Sequence, residues 1–164
     1  ARGNAWVVAA LPRILDCLGD GHPEAPAILR VLERVAAALL SRQRPDAWWD
    51  TLLDSPGRNY REASATALIA AGFLHASRRS WLPPAYAEAG LRAYASLVEA
   101  LAPPGPAGQA PRLPEVSAPT IPLPLFPRLG YSLVPRRPDL PYGLAGLFMA
   151  AIEAARHEGY APRP

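Results

Sequence analysis

A chain of 164 residues, half of them hydrophobic and 19% charged, has the size and composition of a single globular unit. Its formal net charge is +3 and every basic side chain is an arginine, placed singly or in pairs such as Arg78-Arg79 and Arg136-Arg137. That scatter argues against the concentrated basic stripe of a nucleic-acid binder. A lone cysteine, Cys17, excludes an intrachain disulfide or a cysteine metal cluster. No stretch is apolar for long enough to span a bilayer. Neither nucleic acid nor membrane is therefore expected as a partner, and a cytoplasmic location is the expectation.

Helical periodicity dominates the chain. A first helix is predicted from about Ala5 to Leu18, with Cys17 in its core face, ending at Gly19-Asp20-Gly21. A second begins at Pro23-Glu24, with proline in the first turn and a carboxylate near the positive helix end. It carries Leu29, Leu32, Val35 and Leu39 at spacings of three and four, and stops near Arg42. Trp48-Trp49 falls in a non-helical connection, and Asp54-Ser-Pro-Gly57 reads as a turn. A third helix, about Tyr60 to Arg79, is rich in small residues that allow close helix approach. A fourth spans about Pro84 to Leu101. Proline spacing excludes regular helix from a loop at about 103–141, whose apolar residues Ile121, Leu123, Leu125, Phe126, Leu129 and Tyr131 are expected to lie against the domain. A last helix, about Gly143 to His157, is expected to bury Leu144, Leu147, Phe148, Ala151 and Ile152. No segment alternates like a strand, so the fold class is all-α.

Two segments point further. Ala1-Arg2-Gly3-Asn4-Ala5-Trp6 opens the first helix, and Asn59-Tyr60-Arg-Glu62-Ala-Ser64-Ala-Thr66-Ala67 opens the third. In this order they resemble glycoside hydrolase families 88 and 105, the unsaturated glucuronyl and rhamnogalacturonyl hydrolases, with their Arg-Gly-Asn-Gly-Trp motif and Tyr-Xaa-Glu-Xaa-Ser helix start. Asp20-Gly-His-Pro-Glu24 and the stretch from Asp46 to Asp54 match in support, and the resemblance runs through nearly the whole chain. Ala5 stands where the family more often has Gly, and Asp50-Thr51 where the rhamnogalacturonyl group usually has Tyr and Gln.

The resemblance implies an (α/α)6 toroid of the six-hairpin glycosidase type, with residues 1–164 an incomplete C-terminal half of one domain. An open half-barrel exposes apolar helix faces, so a missing N-terminal half-barrel or self-association is expected to cover them. The implied activity is removal of 4,5-unsaturated uronic acid from the non-reducing end of lyase-generated oligosaccharides, of pectin or rhamnogalacturonan type. It proceeds by hydration of the vinyl ether, with an Asp as general acid and base and no metal or cofactor. By matching positions the resemblance implies substrate contacts from Arg2 to the uronate carboxylate and from Trp6 to the sugar face, with Asn4 bracing the turn. It adds Trp49, Ser64, Thr66 and Thr120, the last within Ser117-Ala-Pro-Thr120. Each has a plain structural alternative: Trp6 and Trp49 as packing aromatics, Arg2 as a surface charge, Ser64 and Thr66 as helix caps. The family's catalytic Asp lies upstream of Ala1, and Asp16, Asp20, Asp46, Asp50 and Asp54 do not match it. His22, His75 and His157 lack metal-ligand spacing. The rival readings are a non-catalytic helical interaction or carbohydrate-binding module on the same fold, and a toroid epimerase, which would need histidines at the barrel mouth.

Overall fold

The computed structural model describes residues 1–19, 21–103, 110–119, 123 and 125–157. Its helices are α1 (Arg2–Leu18), α2 (Ala25–Leu40), α3 (Ala63–Arg78), α4 (Pro84–Glu99), α5 (Pro127–Ser132) and α6 (Pro141–Arg156), and two-residue strands β1 (Val116–Ser117) and β2 (Arg136–Arg137) pair antiparallel. Helix α3 is the axis of the packing. It is apolar or small on every side, and all residues from Ala63 to Ala76 are buried, the pattern of a helix enclosed by others rather than lying on a surface.

Close approach to α3 is set by glycine. At Gly72 a Cβ would overlap the Val8 carbonyl of α1, and at Gly146 of α6 it would sit 3.2 Å from the Ala67 Cβ. Contacts along the helices fix their direction. Gly146 faces Ala67 and Leu68, while Glu153 reaches Arg78, so α6 runs parallel to α3. Val8 meets Gly72 and Asp16 meets Arg79, so α1 does too. Helix α4 returns antiparallel, its Gly90 against Leu74 and Ala70 and its preceding Pro83 bonded to Ser77. One layer thus holds α1, α3 and α6 with their N-termini at the same end, and α2 and α4 lie behind it.

Several expectations are corrected. The third helix starts at Ala63, because Glu62 is extended and serves as its N-cap. Cys17 is exposed rather than core. The predicted buried face of α6 is partly misplaced: Leu144 and Leu147 are half-buried against the cluster around Trp48 and Leu97, but Phe148 and Ile152 are 63% and 50% exposed, while Gly143, Gly146, Ala150, Glu153 and Ala154 face inward. Small residues occupy the inner side because α3 lies too near for large ones. In the proline-rich segment a short helix, α5, begins at a proline, where the missing N–H is harmless. Leu125 and Phe126 before it and Leu129 within it do not pack inward, being 85%, 64% and 53% exposed, whereas Tyr131 lies against the domain as expected. Ile121 lies outside the described residues.

The stretch before β1 is tied to the start of α6 by Asp139, which accepts from Leu113 N at 2.7 Å and from Arg112 Nε at 2.6 Å. The hydrogen bond from Arg112 holds its carboxyl below the ordinary range, opposed by partial desolvation and helped by the Leu113 amide. A carboxylate whose folded pKa is depressed contributes stability above its unfolded pKa of about 3.9, lost as pH falls through the lower folded value. Asp139→Asn is expected to remove that part of the acid-side decline in a pH series of unfolding midpoints, leaving the neutral and basic side parallel to the parent protein. Overpacking costs about 1–3 kcal/mol, and Gly72→Ala is expected to lower stability by at least that amount in urea unfolding. Gly21→Ala, with no atom within 4 Å of its added Cβ, is the control.

Candidate functional site

The N-terminal ends of α1 and α3 enclose a cavity of about 300 Å³ lined by Arg2, Trp6, Thr51, Glu62, Ser117 and Tyr131, among others. Its floor is built on Glu62. That carboxylate accepts from Ala65 N at 2.6 Å and Ser64 N at 3.3 Å, capping α3, and from the Ser64 hydroxyl at 2.8 Å. It also takes the Ser117 N–H at 2.9 Å, from 55 residues away. A buried charge is tolerable when several donors and a helix N-terminus surround it. The same bonds lock β1 to the start of α3.

Arg2 lies on the first turn of α1 and reaches across to β1, donating from Nη1 to Ser117 O at 2.7 Å and from Nη2 to Ala118 O at 3.2 Å. The Tyr142 ring covers its guanidinium at 4.5 Å. These partners are neutral, and no carboxylate among the described residues pairs with Arg2. Trp6, one turn along the helix, is 43% exposed at the cavity wall. The Tyr60 hydroxyl, 3.0 Å from Ser117 Oγ and 3.4 Å from Tyr131 O, ties α5 to the rim, and Arg128 of α5 pairs with Asp54 at 2.7 Å. The Ala1 backbone nitrogen donates to Thr51 O at 2.6 Å.

The predicted site residues therefore divide. Arg2 and Trp6 come together in one cavity. Asn4 is exposed and lines a neighbouring groove of about 490 Å³ between α1 and α2 instead. Trp49 is fully buried, edge-on to Phe73 at 5.9 Å, with its indole N–H donated to Leu39 O at 2.7 Å, so no face is open to a ligand. Ser64 and Thr66 are fully buried. Ser64 is committed to Glu62, while the Thr66 hydroxyl donates to Glu62 O at 2.9 Å and accepts from Trp49 N at 3.1 Å. Helix α3 already carries its own anion, and these hydroxyls serve its cap. Thr120 lies outside the described residues.

In the sequence Glu62 stands only as one position of the helix-start motif. The sign it offered was an acid two residues before a serine at a helix start, a capping arrangement. Tyr142 carried no signal, since its role depends on a contact between the two ends of the chain. Asp16, Asp46, Asp50 and Asp54 each pair with an arginine. Asp50 also accepts from Gly57 N, which shapes the loop before α3.

Parallel helices in one layer, a second layer behind them and a cavity at the shared N-terminal end describe part of a six-hairpin glycosidase toroid, and solved structures bear this out. A possible member of glycoside hydrolase family 105 from Salmonella enterica serovar Paratyphi A is 31% identical with a TM-score of 0.82, over 95% of this chain and 39% of that one. A family 105 glycoside hydrolase from C. acetobutylicum shares the fold with a TM-score of 0.85 at 24% identity, over 95% of this chain and 45% of its own. An unsaturated 3S-rhamnoglycuronyl hydrolase from Alteromonas sp. is 35% identical over 72 residues, which are 43% of this chain and 17% of that protein. The profile of Glycosyl Hydrolase Family 88 matches residues 1–158, and the chain belongs to that family. It spans less than half the length of these relatives.

Loss of the Glu62 carboxylate strips α3 of its cap, worth about 1 kcal/mol, and leaves the Ser117 amide buried without a partner, worth about 1–3 kcal/mol more. Glu62→Ala is expected to lower unfolding stability by roughly the sum of these, and to speed hydrogen exchange at the Ser117 amide. Unchanged exchange there would mean that β1 is held by other contacts.

Proposed function

We propose that this chain supplies the uronate-binding side of an unsaturated uronyl hydrolase, acting on the non-reducing end of oligosaccharides left by polysaccharide lyases. The observation that carries this reading is Arg2: a guanidinium fixed by two carbonyls and a ring, without a carboxylate of its own, in a cavity with an exposed indole. A planar fork suits a carboxylate, and an indole face suits the apolar face of a sugar ring. A uronate offers both. In the reaction an acid delivers a proton to C4 of the C4–C5 double bond, water adds at C5, and the resulting hemiketal opens to release the sugar. Fixed positive charge beside the uronate carboxylate holds the ring for that transfer.

Glu62 is the only carboxylate among the described lining residues, and its oxygens are taken up by the α3 cap and by Ser117. The proton donor is therefore assigned to a residue outside this lining, in the part of the toroid that the chain, with less than half the length of its relatives, does not span. Exposed apolar side chains away from the cavity support that placement: Ile14 and Val31 on α1 and α2, and Phe148 and Ile152 on α6. A rhamnose-linked uronate, as in rhamnogalacturonan, is the favoured substrate. The stretch of 72 residues shared with a rhamnoglycuronyl hydrolase supports it.

The test is to incubate the complete protein with pectin-, rhamnogalacturonan- and glycosaminoglycan-derived lyase products while following the ultraviolet absorbance of the unsaturated uronate. A falling signal is expected. Arg2→Ala should lower kcat/KM by about ten- to a hundredfold, the worth of a charge-assisted hydrogen bond, and Trp6→Ala by about tenfold. A flat trace with every substrate would leave a non-catalytic role for the fold.

A further inference from the structure

We propose that Tyr142 is a positioning residue for Arg2, acting on substrate binding without lining the cavity itself; this rests on the reading of Arg2 as the uronate-binding cation. Tyr142 meets Arg2 in two ways. Its ring covers the guanidinium at 4.5 Å, and its hydroxyl donates at 2.5 Å to Ser117 O, the same carbonyl that Arg2 Nη1 grips at 2.7 Å. One oxygen thus joins α1, β1 and α6 in a triangle. The carbonyl is itself fixed, because its residue is 2% exposed, its amide is held by Glu62 and its side chain by Tyr60.

The approach of α6 makes this geometry possible. At Gly143 a Cβ would fall 2.7 Å from a Val116 methyl, so a larger residue would force either the Val116 side chain or the helix start to shift. The absence of a side chain there lets the neighbouring Tyr142 reach both Ser117 and Arg2. An arginine side chain has several rotatable bonds, and without a ring above and carbonyls beside it the guanidinium would sample many orientations. Held as it is, it meets a carboxylate with its fork already set, so less ordering remains for binding. Tyr142 is absent from the cavity lining, so its influence reaches the cavity through the two lining residues it touches, Arg2 and the Ser117 carbonyl that Arg2 also grips.

The experiment is a double-variant cycle in the complete protein, with an unsaturated uronyl disaccharide from a lyase digest as probe. Tyr142→Leu is expected to raise KM about tenfold, the scale of a partly desolvated cation–ring contact, with kcat within about threefold. Tyr142→Phe keeps the ring, loses the hydroxyl and should fall between. Arg2→Lys keeps the charge but loses the planar fork and its stacking, and in that background Tyr142→Leu should change KM less than about twofold. A merely structural role would give the same fold-change in both backgrounds, and that additivity would overturn the proposal, as would an unchanged KM in Tyr142→Leu. If Tyr142→Leu does not fold, Tyr142→Phe carries the same cycle with its smaller effect. Should the parent protein fail to consume the probe, the functional reading fails first, and tryptophan fluorescence titration with the same disaccharide would show whether Tyr142 still governs binding through Arg2.

Discussion

The buried carboxylate of Glu62 is the interaction on which the geometry of the cavity depends. Isolated in the interior it would cost several kcal/mol. Here two backbone amides of α3, the Ser64 hydroxyl and the Ser117 amide all donate to it. The first three make a helix cap that a local sequence can encode. The fourth is long-range, and it pins β1 at the mouth of α3. Once Ser117 is fixed, its carbonyl becomes an anchor for Arg2 from one end of the chain and Tyr142 from the other.

Electrical order continues along the layer. The N-terminal ends of α1, α3 and α6 gather around the cavity, and their C-terminal ends meet at a cluster of ion pairs. There Glu153, 2% exposed, lies 3.2 Å from Arg78, 3.3 Å from Arg156 and 3.4 Å from His75, while Asp16 takes His75 Nε2 at 2.7 Å and Arg79 at 2.9 Å. Arginines at the negative ends of parallel helices offset dipoles that would otherwise add. Burial lowers the Arg13 guanidinium below its ordinary value, against the pull of nearby Glu153. The same parallel arrangement therefore gives the two ends of the layer different chemistry.

Much of this was legible in the sequence, for identifiable reasons. Helices α1, α2 and α4 announced themselves through periodicity and proline placement. The all-round apolar pattern of α3 pointed to close packing, and the Arg2–Trp6 spacing put both side chains at one wall. What could not be read were features set by distance in space. The inward face of α6 carries Gly143, Gly146 and Ala150, whereas a hydrophobicity pattern selects Phe148 and Ile152. Close approach rewards small residues, and the larger apolar ones are left outside. Trp49 resembled a stacking platform until its neighbours Leu39 and Phe73 were in place. Ser64 and Thr66 stood at a helix start open to an anion, but the anion was Glu62, two residues before Ser64.

The uneven burial of the tryptophans makes the cavity its own optical probe. Trp48 and Trp49 are fully enclosed and Trp81 is stacked beside His75, whereas Trp6 is 43% exposed at the cavity wall. Core indoles emit from a fixed, dry surrounding, so what enters or leaves that cavity acts mainly on the red-edge, quencher-accessible light of a single residue. Occupancy can be followed by iodide quenching in the unlabelled protein, with the enclosed Trp48 and Trp49 as a steady internal reference.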